Sequence, residues 1–201
     1  MFQALAPVTG VLIAVNVIVY ALQSLLGDQL SVFALWPLGE PAGRDFLPFH
    51  SWQLVTYAFL HSNGMHIFFN MLALYMFGSD VERLLGRQRY LIYYCVCVVG
   101  AAAMQLVVNG VLNSPYPVIG ASGGVFGLLL AFGMAYPHRR ILLLFPPIPM
   151  PAWLFVTLYG LIELFLGITQ TQQGVAHFAH LGGMAAGFLL LQYWGRKRIP
   201  R

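Results

Sequence analysis

Four polar residues set in apolar sequence carry the groups that acyl transfer uses: Ser122, His180, His66 and Asn70. Ser122 lies in Gly120-Ala121-Ser122-Gly123-Gly124, just after Pro115 and Pro117 and at the start of an apolar run. A serine there sits among the unpaired N–H groups of a helix N-terminus and the positive end of its dipole, which suits a developing oxyanion. A hydroxyl becomes a useful nucleophile when an adjacent base takes its proton, and His180 is a base of the right kind. His66 and Asn70 are four apart, so both project from one helix face, as two side chains donating to one oxyanion must. Read singly, each has a plainer role: a serine caps a helix, and a membrane histidine bonds to a neighbouring helix.

These residues need elements that bring them together. Of 201 residues, 59% are hydrophobic and 8% charged, far below the roughly 25% charged residues of soluble domains. The net charge of +4 suggests nucleic acid only until the basic residues are located at the ends of apolar runs. Six runs are apolar enough for a core about 30 Å thick: Val8 to Leu26, Met65 to Phe77, Tyr90 to Val108, Gly120 to Tyr136, Pro151 to Ile168 and Val175 to Trp194. The expected fold is an all-α membrane protein, a six-transmembrane-helix bundle forming one domain over residues 1–201. The first run lacks a basic n-region and a small-residue cleavage site, so it reads as a retained helix. Cys95 and Cys97, two apart in one run, imply neither a disulfide nor a metal cage.

Orientation follows from the basic residues, which favour the cytoplasmic side. Arg83, Arg87 and Arg89 follow the second run, Arg139 and Arg140 the fourth, and Arg196, Lys197, Arg198 and Arg201 the sixth. The first loop mixes Arg44 with Asp28, Glu40 and Asp45, and the loops after the third and fifth runs carry no charge. Both termini are therefore expected in the cytoplasm. The first loop also holds Trp52 to Leu60, too short to cross and expected to lie in the outer interface as a partly helical segment. The segment Phe145 to Pro151 should break any helix, because proline lacks the amide donor.

Depths then converge. At about 1.5 Å per residue, Ser122 lies about 21 Å from Tyr136, His66 about 21 Å from Asp80 and His180 about 24 Å from Arg196, so three helices place polar groups at one level near the outer surface. Gly183 with Gly187, and Gly123 with Gly127, repeat a four-residue spacing that lets membrane helices approach closely. Such an approach would bring the Ser122 hydroxyl to the His180 imidazole.

Gly120-Ala121-Ser122-Gly123 resembles the G-x-S-G nucleophile motif of rhomboid intramembrane serine proteases. His66 to Asn70 resembles their H-x-x-x-N motif, and His180 to Gly187 their H-x-x-G-x-x-x-G motif, in the family's order and on the expected spans. The resemblance runs from the first span to the last and implies the six-span bacterial form. It implies a Ser122 and His180 dyad without an acid, and an oxyanion hole from the Ser122 backbone N–H, His66 and Asn70. Gly120 and Gly123 line the site. The family's tyrosine beside the catalytic histidine is Phe126 here, and its first-loop Trp-Arg is Trp52-Gln53. Glu82-Arg83 resembles a structural acidic-basic pair of the family.

The implied activity is hydrolysis of transmembrane protein substrates near the outer face, in a bacterial inner membrane. Substrate helices that unwind easily are favoured. Access is expected through the fifth span and the loop from Thr169 to Gly174. The partners implied are membrane protein substrates and the lipid bilayer, without nucleic acid and without a cofactor. His177 is expected to support the cavity, and Glu163 to be a packing or water-contact residue. His50 and His61 read as loop or interface residues.

Three other classes stay open. A catalytically inactive relative would bind membrane proteins, although such relatives commonly lack the nucleophile or base. A transporter could run a relay through His66, His177, His180 and Glu163, but no inverted repeat is seen. Metal-dependent hydrolysis is disfavoured, since H-E-x-x-H is absent and His177 and His180 have no carboxylate nearby in sequence.

Overall fold

The computed structural model describes residues 4–39, 47–142, 148–171 and 175–196. Glu40, Arg44, Asp45, Phe145, Gly174, Lys197, Arg198 and Arg201, named above, lie outside the described residues.

Among the described residues eight α-helices follow in chain order: α1 Pro7–Leu26, α2 Gln53–Thr56, α3 Gly64–Ala73, α4 Ser79–Leu85, α5 Arg87–Leu112, α6 Ser122–Ala135, α7 Ala152–Thr169 and α8 His177–Arg196. Among the described residues three segments are long and apolar enough to cross a membrane by length and composition: Pro7–Phe33, Arg87–Leu112 and Ala152–Thr169. The chain is an integral membrane protein built as a bundle of apolar helices. The run expected over Met65–Phe77 is longer in the structure. It passes from α3 through a π-helical turn, Leu74–Gly78, directly into α4.

α5 is the centre of the bundle. Tyr90, Tyr93, Tyr94, Cys97, Val98, Ala101 and Ala102 are buried along it, spaced three and four apart; the Tyr90 hydroxyl meets Thr9 of α1, and the helix packs mainly on α6 and α8. The small residues on this face set the interhelical distance: a Cβ on Gly100 would collide with Ala186 Cβ, and one on Gly124 would lie 2.6 Å from Tyr94. Cys97 Sγ fills the space beside Gly127 and Gly187, and both cysteines are free thiols.

The first loop is not merely laid on an interface. Tyr57 and Ala58 are buried, and the Tyr57 hydroxyl donates to the Val98 carbonyl at 2.8 Å, inside the bundle. Gln53, where the family's arginine would stand, is also buried. Its oxygen accepts from the Trp36 N–H, and its amide nitrogen donates to the Val32 and Pro48 carbonyls. The loop in turn grips the segment before Ser122, through the Leu35–Val118 bridge and the Gly120 N–H to Tyr57 carbonyl bond.

At the other end, α4 holds α1. The Glu82 carboxylate accepts from the Val8 and Thr9 N–H groups and the Thr9 hydroxyl, satisfying donors that a helix N-terminus leaves unpaired. Arg83 is tied down beside it. It bonds Asp80 and the Ala4 carbonyl, while Asp80 also holds Arg139. The described end of the proline segment is not helical, and it also contributes a strand: β1 Arg140–Leu142 pairs antiparallel with β2 Pro149–Pro151. A two-stranded ribbon has only edge strands, so prolines fit with their missing donors turned away from the partner.

Candidate active site

Ser122 is the first residue of α6, and the chain arrives there through Gly120, whose φ of +128° lies in the region that favours glycine. A Cβ on Gly120 would also sit 2.7 Å from His66 Nε2 and 3.7 Å from Ser122 Oγ. The absence of that atom lets the His66 ring reach over the serine loop.

His180 lies in the first turn of α8. Its Nε2 is 2.7 Å from Ser122 Oγ, and its ring stacks on Phe126 with centroids 4.3 Å apart and planes 5° apart. The stack keeps the ring surface that a tyrosine would offer at this position. α6 and α8 come this close because Gly183 faces Gly123: a Cβ on Gly183 would run into the Gly123 carbonyl oxygen. Gly123 is closed on its other side by Ala101 of α5.

On α3, Asn63 caps the helix by accepting from the His66 N–H at 2.9 Å. His66 Nδ1 accepts from the Ser62 N–H at 3.3 Å and lies 3.1 Å from the Ser62 hydroxyl. An acceptor Nδ1 puts the ring proton of a neutral imidazole on Nε2, the nitrogen over Gly120 and the serine loop. Ser62 was not singled out in the sequence, although its place four residues before His66 was visible. Asn70 is buried, and one of its amide N–H groups is engaged by the His66 carbonyl at 2.9 Å. The second amide hydrogen is the one left to donate elsewhere. His61, read as a loop residue, is wholly enclosed, edge-on to His66 with centroids 5.0 Å apart. Burial first, and His66 second, push its imidazole down to about 4.

Glu163 departs most from the sequence expectation. It is buried on α7, and its Oε2 lies 2.7 Å from His180 Nδ1 and 2.7 Å from His177 Nδ1. The histidines have a carboxylate after all, fourteen and seventeen residues away in sequence. The one sequence signal was an acid in an otherwise uncharged apolar helix. His177 Nε2 is buried without a protein partner, which fits an Nδ1–H tautomer, because an unpaired acceptor is tolerated better than an unpaired donor.

The three ligand-type atoms lie within 4.8 Å of one another, the spread of a metal site. The expectation against metal therefore loses its argument from a missing carboxylate. The fit is poor for another reason. The oxygen is at hydrogen-bond distance from both nitrogens, whereas tetrahedral ligands at about 2.0–2.1 Å from zinc stand about 3.3 Å apart.

Among known proteins, the chain is 30% identical over 183 residues to Rhomboid protein 1, mitochondrial, of Saccharomyces cerevisiae, covering 86% of this chain and 51% of that protein. It is 28% identical over 181 residues to Rhomboid protease GluP of Bacillus subtilis, covering 90% and 33%. With Rhomboid protease GlpG of Klebsiella pneumoniae it shares 27% identity over 197 residues, covering 96% and 66%. It thus spans between a third and two thirds of the length of these relatives. The Rhomboid domain matches residues 48–197, a stretch that contains Ser122, His180, His66 and Asn70, and on that match the chain belongs to the rhomboid family.

Proposed function

We propose that this protein is an intramembrane serine protease that hydrolyses peptide bonds of transmembrane protein substrates near the outer face of a bacterial inner membrane. It would do so as a single six-span domain with both termini in the cytoplasm, without a cofactor or nucleic-acid partner. The observation that carries the reading is the 2.7 Å contact between Ser122 Oγ and His180 Nε2 across two helices. In that contact Nε2 takes the hydroxyl proton while the oxygen pair attacks the scissile carbonyl carbon. The oxyanion meets the Ser122 N–H at the start of α6, the His66 Nε2–H and the free Asn70 amide hydrogen. His180 then gives its proton to the departing amine and activates water against the acyl-enzyme. A substrate helix hides its carbonyls in its own hydrogen bonds, so segments that unwind easily are the preferred substrates.

The test is cleavage of a reporter transmembrane substrate by detergent-purified protein. Ser122→Ala and His180→Ala should each lower kcat by about 10⁴-fold or more with thermal unfolding unchanged. A chelator should have no effect. Native-rate cleavage by the folded Ser122→Ala variant refutes the reading.

A further inference from the structure

A carboxylate inside an apolar helix is expensive unless its oxygens are hydrogen-bonded. Glu163 meets that condition with one oxygen, Oε2, which two imidazoles share. The His180 ring is thereby a bridge, with the carboxylate at Nδ1 and the Ser122 hydroxyl at Nε2, each at 2.7 Å.

The bridge has a chemical direction. An ionised carboxylate only accepts, so Nδ1 of His180 must carry a proton. A neutral imidazole protonated at Nδ1 presents a lone pair at Nε2, and only that tautomer can accept the serine proton. Left without the carboxylate, the ring has no partner to forbid the opposite tautomer, whose Nε2–H faces Ser122 and cannot act as a base.

We propose that Glu163 is a positioning residue for catalysis, the third member of a Ser122, His180, Glu163 relay, with His177 as the clamp that aims its carboxylate. The inference rests on Ser122 and His180 being nucleophile and base. During attack the Oγ–H bond breaks, its electron pair forms the bond to the carbonyl carbon, and the carbonyl π pair moves to oxygen. The proton stops at Nε2, and Nδ1 keeps its own. Glu163 gains no proton; it faces the imidazolium as an anion in a medium of low dielectric, where the pairing is strong. His177 leaves Oε2 no freedom to turn from His180, because the two Nδ1 atoms approach it from residues three apart on α8.

A purely architectural role, tying α7 to α8, makes different predictions, because shape then matters and charge does not. Glu163→Gln keeps the shape and an acceptor but loses the charge. Glu163→Asp keeps the charge on a stem one carbon shorter. Each is compared with Ser122→Ala and native protein in the reporter assay, with thermal unfolding in detergent as the fold control. The expected result is a kcat loss of about 10²-fold or more in Glu163→Gln with KM nearly unchanged, and a faster Glu163→Asp enzyme. Glu163→Gln at the native rate, or faster than Glu163→Asp, overturns the positioning role while an inactive Ser122→Ala leaves the nucleophile assignment standing.

A second measurement needs no variant. Nitrogen-15 NMR of histidine-labelled native protein distinguishes protonated from bare ring nitrogens. His180 protonated at Nδ1 and bare at Nε2 supports the relay, and the reverse pattern overturns it. Activity that a chelator removes and added zinc restores also overturns it, by assigning the three donors to a metal.

Discussion

Two contacts hold the His180 imidazole in place, and they are built differently. Where α6 meets α8, backbone lies on backbone: Gly183 has no room for a single carbon against Gly123, and Gly127 lies against both Cys97 and the Gly183 carbonyl. Where α7 meets α8 at Gly160, a flexible side chain intervenes, while nearer the start of α8 a Cβ on Gly167 would lie 3.0 Å from the Phe178 ring. A Cβ on Gly160 would touch only the end of Met184, at 3.5 Å, and Leu161, Ile162, Phe165 and Ile168 all turn outward. The nucleophile and base thus share a seam closed by backbone, whereas Glu163 reaches His180 from a helix that meets α8 through side chains. The division teaches that the reacting pair and its orienting carboxylate are separable.

The strongest way to break this comparison is to put one carbon into the seam. In Gly183→Ala the added Cβ meets Gly123 backbone atoms, which no rotamer change can move aside, so α6 and α8 must separate. Overpacking of this kind costs about 3 kcal/mol, at the upper end of its usual range because the obstacle is backbone. A misplacement of about 1 Å between reacting groups lowers turnover by about 10²-fold. Thermal unfolding and reporter cleavage measure the two effects. Native stability together with native turnover would show that the seam does not set the distance from Oγ to Nε2.

The next effect belongs to α3, which meets the site from the other side. His66→Ala removes a donor whose proton Ser62 directs toward the serine loop, and should lower kcat by about 10²-fold with little change in KM. Because Asn70 spends one amide hydrogen on the His66 carbonyl, its truncation should lower kcat less. Equal losses, or a loss confined to KM, would argue against unequal oxyanion donors.

Much of this layout was legible in the sequence, for physical reasons that differ by residue. Apolar runs show membrane helices because a bilayer demands apolar surface, and the serine loop, the paired glycines and the His66 to Asn70 spacing are local patterns. The helices begin and end within a few residues of the runs, except where α3 continues through its π turn into α4. Glu163 was missed because its partners lie on another helix and no local spacing announces them. The burial of Tyr57 and His61 was missed for a similar reason: an aromatic, interface-like composition does not say whether lipid or protein covers it. Gln53 shows the limit of motif comparison, since its meaning here is the three backbone groups it binds.

The smallest expected effect is also the most direct control, because it applies the same substitution to the other contact of α8. Gly160→Ala places a methyl against Met184, whose thioether end is flexible and 3.5 Å away, so nothing rigid has to move. Within a helix, replacing glycine by alanine stabilises by about 0.5–1 kcal/mol through backbone entropy, and this change should appear as a small rise in thermal unfolding temperature. The Ser122 to His180 distance depends on the other seam, so kcat should stay within about twofold of native. A large fall in kcat with unchanged stability would mean that turnover needs a looseness at Gly160 that one methyl removes. A loss of stability like that of Gly183→Ala would mean that the two contacts of α8 are equally rigid, and the distinction between a backbone seam and a side-chain contact would fail.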